Sequence, residues 1–252
     1  MAKRDHFVCD RENCNFCCTD PSTQINMTLL DIKWLSDFMK LTVKELFEKE
    51  FVTFIPFLKA KDFSVFEVDF GMKRPCPLYI DNKCSVYEGR PMNCRMFPYW
   101  FITNRIEDDL DCIKSVEPSP ANFIKYRTYE RVIGEILLRQ GKETEEFIKR
   151  IGATQTIDLS DEPDLKRLLK IYKKRSEEND KTSMRLAKRL MRIAHEKVDR
   201  KRLDLKIELI NDEINKMNFD KDIEMLINAE AILDGTITGL NADYDPSDLQ
   251  KP

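Results

Sequence analysis

Four cysteines crowd into CDRENCNFCC, Cys9 to Cys18, and four more follow singly at Cys76, Cys84, Cys94 and Cys112. The rest of the 252-residue chain has none. Thiols gathered in this way support metal ligation or thiol redox chemistry. Cys14 and Cys17 form a chelating pair, because two intervening residues let one turn aim both sulfurs at one metal. Cys18 does not fit that ion, since adjacent side chains diverge. The eight thiols Cys9, Cys14, Cys17, Cys18, Cys76, Cys84, Cys94 and Cys112 therefore suggest two centres side by side, or one multi-atom cluster with well-separated corners. Eight divides into two sets of four, and the spacing leaves open which thiol joins which set. His6 and His195 are the two histidines, and neither has the setting of a catalytic dyad. His195 reads as a surface residue of a helix, and His6 as a weak ligand candidate.

The compartment sharpens the choice. No apolar run reaches the roughly 18 residues of a membrane span, and MAKRDHFVCD has no apolar core of signal-peptide length. A cytoplasmic protein is expected, and reducing conditions point clustered cysteines to metal rather than to disulfides. Thiolate ligation suits zinc and iron–sulfur alike. Zinc ribbons pair two C-x2-C knuckles, and this chain has one. Aromatic residues stand beside the thiols in sequence: Phe97, Tyr99, Trp100 and Phe101 after Cys94, with Phe7 and Phe16 in the first cluster. A dry shell of that kind tunes a redox cluster, although it also suits a plain core. Arg90 and Arg95 could balance an anionic centre and lower thiol pKa values. The balance leans to an iron–sulfur cluster, expected as [4Fe-4S], with zinc the alternative.

The elements that must position these thiols are partly readable. NMTLLDIKWLSDFMKL has apolar residues at helical steps. TVKE starts a second helix, with Thr42 and Glu45 as a reciprocal cap. FSVFEVDF alternates as a strand, with Phe66, Val68 and Phe70 on one face. CPLYIDNKCSVY reads as two short strands around a DNK turn, which brings Cys76 and Cys84 close. Pro91 can open a single helical turn that carries Cys94.

These residues resemble the YkgJ-like CxxCxxCC family of zinc- or iron-chelating proteins. Its hallmark is a compact four-cysteine start, then Cys-x-x-Leu, then Cys-x-x-Tyr-x-x-Arg-Pro-x-x-Cys-Arg-x-Phe, and a last cysteine. Cys76 and Leu78–Tyr79 lie in the first of these segments. Cys84, Tyr87, Arg90, Pro91, Cys94, Arg95 and Phe97 match the second position by position. The start departs: four residues separate Cys9 from Cys14, and Phe16 stands where a glycine is usual. The resemblance covers about residues 7–113 and implies metal or cluster binding. Some relatives are named flagellin lysine N-methylases, which makes a methyltransferase a further reading.

After the cysteine region the chain reads as helical. Ser119 caps a helix with Pro120 at its first position and Gly141 as a stop. A second helix ends at Gly152, and a third opens around Ser160 and Pro163. MRLAKRLMRIAHEKV, RKRLDLKIELINDEINKM and DKDIEMLINAEAILDG continue the pattern. Seven glycines and 35% charged residues fit a helical, heavily charged protein. The fold expected is mainly α with a small irregular α+β cysteine-rich metal-binding domain. Its expected parts are 1–115 for the cysteines, 116–240 for the helices and 241–252 as a tail.

Residues 166–206 hold 16 Lys/Arg against 6 Asp/Glu, a net of +10 in a chain of −3. A solvated face explains this simply; an acidic protein partner is the alternative. Nucleic acid is disfavoured, because Tyr172 alone offers stacking. There is no phosphate loop, dinucleotide fingerprint, metalloprotease helix or Gly-rich methyl-donor signature. The function expected is a metal centre for electron transfer or for assembly with a partner. A zinc-stabilised interaction module and a methyltransferase are the alternatives.

Overall fold

The computed structural model describes residues 4–7, 16–19, 24–58, 65–105, 113, 115–161, 166–167, 170 and 181–234, the side chains of 16 and 181–188 excepted. A four-residue helix, α1 (Phe16–Thr19), and a two-residue strand, β1 (Ile25–Asn26), lead to α2 (Leu29–Met39). Thr28 starts α2 by accepting the Asp31 amide, while Asp31 accepts the Thr28 amide. Lys40 ends the helix in the left-handed region at φ 54°. The predicted Thr42–Glu45 cap opens α3 (Val43–Glu48) in the same way.

Two longer strands follow, β2 (Thr53–Leu58) and β3 (Val65–Met72). β3 alternates as predicted: Phe66, Val68 and Phe70 are buried and Glu67 is exposed. It pairs antiparallel with β2 from Thr53↔Gly71 to Leu58↔Phe66. Its other edge takes β1 at Met72 and Gly71, and β6 (Thr156–Asp158) at residues 65–67. Gly71 is the crowded point, flanked by both β1 and β2. A Cβ there would stand 2.7 Å from the Ile25 carbonyl oxygen and collide with Ile55. The strand β2 and the short partners β1 and β6 were not predicted.

The hairpin of β4 (Tyr79–Ile80) and β5 (Lys83–Cys84) forms as expected, and Asp81 and Asn82 supply its turn with φ of 50° and 58°. Then come α4 (Met92–Met96) and α5 (Tyr99–Thr103). The next helix, α6, runs from Pro120 to Arg150 without a break. Gly141 therefore does not stop it. A glycine inside a helix costs only about 1 kcal/mol, less than this helix regains beyond it. Three residues on, the buried Thr144 donates to the Gln140 carbonyl and accepts the Leu29 amide. The helix ends near Gly152, whose φ of +66° suits glycine, as the sequence indicated.

After β6 the helix expected around Ser160 and Pro163 falls largely outside the described residues, although 166–167 and 170 are helical. Then follow α7 (Lys181–Glu196), α8 (Arg200–Asp204), α9 (Ile207–Ile214) and α10 (Asp220–Asp234). The stretch RKRLDLKIELINDEINKM is thus two helices, interrupted at Leu205–Lys206. The fold is mixed, with helices predominating over a small sheet. Among the described residues, no helix is long and apolar enough to cross a membrane.

The chain divides into two units, each drawing on both sides of residue 115. The first comprises Met1–Cys9, Arg95–Leu138 and Asn218–Pro252. Its core gathers Ile102, Ile113 and Tyr126 with Phe7, Phe97, Tyr99 and Phe101 around them. The buried Arg95 pairs with Glu230 of α10 in this unit. The second unit comprises Asp10–Cys94 and Arg139–Met217. Its core packs Phe47, Phe54, Phe70 and Phe147 at ring distances of 5.4 to 6.4 Å. α3 packs against α9, and α7 against β2.

Part of the basic segment serves the second unit itself. Arg202 donates to the Gly152 and Thr154 carbonyls at 3.0 and 2.7 Å, and Arg200 donates to Thr53 Oγ1. His195, read as a surface residue, is half-buried against Gln24 at 2.6 Å. Burial, Arg200 and Lys73 lower its pKa.

Two predictions follow from this packing. Arg202→Ala loses two bonds to backbone carbonyls and should cost about 1–2 kcal/mol in thermal or denaturant unfolding, whereas Lys201→Ala, on the exposed side of α8, should cost under about 0.5 kcal/mol. Asp69 supplies the second. Burial raises its carboxyl to about 6, against the bonds from the Phe70 amide and Asn26, with Glu145 and Glu67 adding repulsion. The folded pKa lies above the unfolded value of 3.8. Stability is therefore unpenalised below about pH 4 and falls as pH rises to about 6, by about 2–3 kcal/mol. Asp69→Asn, which keeps an acceptor for Phe70, should raise the melting temperature at pH 8 and lose that advantage below about pH 4.

Candidate metal centre

The thiols are carried by backbone pieces that hydrogen bonds hold in place. α1 carries Cys17 and Cys18. The Cys76 amide donates to the Cys18 carbonyl at 2.7 Å, which locks residues 18 and 76 together. From Cys76 the chain turns, with the Tyr79 amide on the Cys76 carbonyl at 3.1 Å, and enters the hairpin. There Cys84 pairs with Tyr79. The Ser85 amide and hydroxyl both bond the Leu78 carbonyl, at 3.0 and 2.9 Å, and fix the hairpin's exit. Cys94 sits in α4, whose first turn closes through the Cys94 amide on the Pro91 carbonyl at 2.9 Å. Gly89 abuts Phe38, and Trp34 Nε1 donates to the Glu88 carbonyl, so α2 seats the loop between hairpin and turn.

Cys18, Cys76, Cys84 and Cys94 form one electrostatic group, all in the second unit. Burial pushes the Cys94 thiol up to about 12; Arg74 opposes this, and Cys76, Cys84 and Asp31 reinforce it. Burial also raises Cys18 and Cys76, again with Arg74 opposing. Arg74 hydrogen-bonds the Cys18 side chain. Its Nε is buried with no hydrogen-bond partner among the described residues. Cys76 Sγ also lies 3.3 Å from Met72 Sδ, at the end of β3.

Arg74 acts on the thiols as a cation, a role the sequence assigned to Arg90 and Arg95. Arg90 stacks on the Tyr87 ring at 3.9 Å, and Arg95 pairs with Glu230. Cys18, Cys76 and Cys94 are raised rather than lowered, because burial outweighs the guanidinium. The aromatic run after Cys94 contributes to the core of the first unit. Cys17 neighbours Cys18 on α1, whereas Cys9, Cys14 and Cys112 lie outside the described residues. Sequence reading missed Arg74, Met72 and Asp31. Arg74 stands two residues before Cys76, and a cation that close to a ligand was the available signal.

Residues 8–115 match the CxxCxxCC family model, described as "Putative zinc- or iron-chelating domain". The segment is similar to that family's domain, over less than half of the chain. The match spans all eight cysteines, Cys9 to Cys112, and says nothing of the helices after residue 115. No solved structure matches the chain.

The donor set fits a thiolate-bound metal of this zinc or iron class. Four thiols are gathered, and a cation with a buried unpaired N–H stands ready for anionic sulfur. Among the described residues, no three of these ligand groups lie close enough to share a single ion. Raised thiol pKa values mean that binding must release protons. Metal affinity of the stripped protein should therefore rise from pH 6 to pH 8, by up to about tenfold per pH unit for each proton released. Chelator competition across that range checks this; a flat profile contradicts protonated thiols as the starting state.

Proposed function

We propose that Cys18, Cys76, Cys84 and Cys94 hold an iron–sulfur cluster of the [4Fe-4S] type, used for electron transfer or for assembly with a protein partner. The observation that carries this reading is the convergence of four thiols from α1, the turn at Cys76, the hairpin and α4 around Arg74. Cys9, Cys14, Cys17 and Cys112 complete the eight thiols of this reading, so more than one metal equivalent is compatible with it.

A zinc-stabilised interaction module is the second reading. The ligand-bearing strands β4 and β5 have two residues each. A hairpin that short is marginal alone and gains from a structural metal.

Anaerobic purification with elemental analysis and visible absorption separates the two. Iron, acid-labile sulfide and a brown colour are expected for the cluster. A colourless protein with stoichiometric zinc favours the module, because zinc has no redox chemistry and a filled d shell. A folded, metal-free protein with eight titratable thiols overturns both. Cys84→Ser should lose metal and lower thermal stability, since site formation and folding are coupled.

A further inference from the structure

Asp31 is 1% exposed in α2. A buried carboxylate is costly unless its oxygens are used, and these are divided between two tasks. Oδ2 accepts the Thr28 amide at 2.8 Å and the Thr28 hydroxyl at 2.9 Å, which closes the helix cap. Oδ1 accepts the Met92 amide at 2.7 Å, 61 residues away. The cap needs only the first. Met92 is fully buried, opens α4 and precedes Cys94 by two residues. Beside it, Asn93 Nδ2 donates to the Asn26 carbonyl at 2.8 Å. The five-residue turn bearing Cys94 is therefore tied at consecutive residues to α2 and β1. Of the two ties, the one to Asp31 is charge-assisted and buried, hence the stronger.

We infer that Asp31 is a positioning residue of the thiol centre: its carboxylate, through the Met92 amide, sets where the Cys94 sulfur stands relative to Cys18, Cys76 and Cys84. This rests on the reading of those thiols as ligands, but the placement of Cys94 can be measured without metal.

The test uses the full chain and crossed variants. Asp31→Glu retains a carboxylate able to close the cap, as Glu45 does on Thr42, but draws the oxygen away from Met92. Thr28→Val removes the cap hydroxyl and leaves the Met92 tie. Asp31→Asn keeps an acceptor for Met92. In chelator-stripped protein, the rate of Cys94 alkylation by N-ethylmaleimide is followed by peptide mass spectrometry. Asp31→Glu and Asp31→Ala should speed it about tenfold, as expected on losing a buried bond to a charged group. Thr28→Val should stay within about twofold of wild type even where its melting temperature drops, and Asp31→Asn should largely restore protection. In metal-loaded protein, release to a chelator should follow the same ranking. Equal acceleration in Thr28→Val and Asp31→Glu, or none in Asp31→Glu, overturns the inference, because Asp31 would then serve α2 alone. Failure of the metal reading is separate: wild type would bind no metal, while the alkylation ranking would still decide what Asp31 does.

Discussion

The hydrogen bond from the Cys76 amide to the Cys18 carbonyl closes a loop of 58 residues, and the candidate centre depends on it. With the bond between the Arg74 and Cys18 side chains, it fixes α1 against the turn that leads into the hairpin. Closing so long a loop has an entropic cost that grows only slowly with length, but something must offset it. Here the loop contains its own compensation. Residues 24–58 and 65–72 build α2, α3 and the β2–β3 pair, where the Phe47, Phe54 and Phe70 rings pack together. Met72 then ends β3 beside Cys76. The sheet thus delivers the second thiol to the first.

The same geometry explains which features were legible. Local rules found α2, α3, the alternation of β3, the hairpin and the Cys94 turn, because each is decided by neighbours within a few residues. Thr42 and Glu45 cap α3 whatever else the chain does. β1 and β6, of two and three residues, are too short to show a period, and their only reason to be extended is β3, far away in sequence. Gly141 misled for the opposite reason: a local breaker yielded to Thr144, whose contact with Leu29 lies 115 residues off. The cysteines were legible as ligand types, but their grouping was not, since it follows from long-range pairing. Asp31 was legible only as part of an apolar helix, because its second oxygen acts across 61 residues.

Charge shows a similar limit. The net of +10 over residues 166–206 invites a search for an acidic partner, yet a count cannot tell which cations are already committed. Arg200 and Arg202 are committed, to Thr53 and to the turn after α6. Turns that end helices leave carbonyls without partners, and a guanidinium can satisfy two at once. Two cations of the basic run thus serve the fold itself, Arg202 through backbone carbonyls and Arg200 through the Thr53 hydroxyl.

If these thiols are ligands, as proposed, Arg74 suits the site in either protonation state. With thiol pKa values raised by burial, Cys18, Cys76 and Cys94 are neutral at pH 7 and pack as small apolar groups. In that state the guanidinium is the main charge among them, held by its bond to Cys18. Metal uptake reverses the balance. Four thiolates around a dication would leave two negative charges, one of which the Arg74 guanidinium would offset. A cation that slightly disfavours the empty state and favours the loaded one tilts the equilibrium toward metal. The cost falls on the metal-free protein, where the Arg74 Nε lacks a partner. Arg74 and the buried thiols are thus two sides of one arrangement: the guanidinium opposes the burial that keeps the thiols protonated, and it would partly offset the charge of an anionic centre.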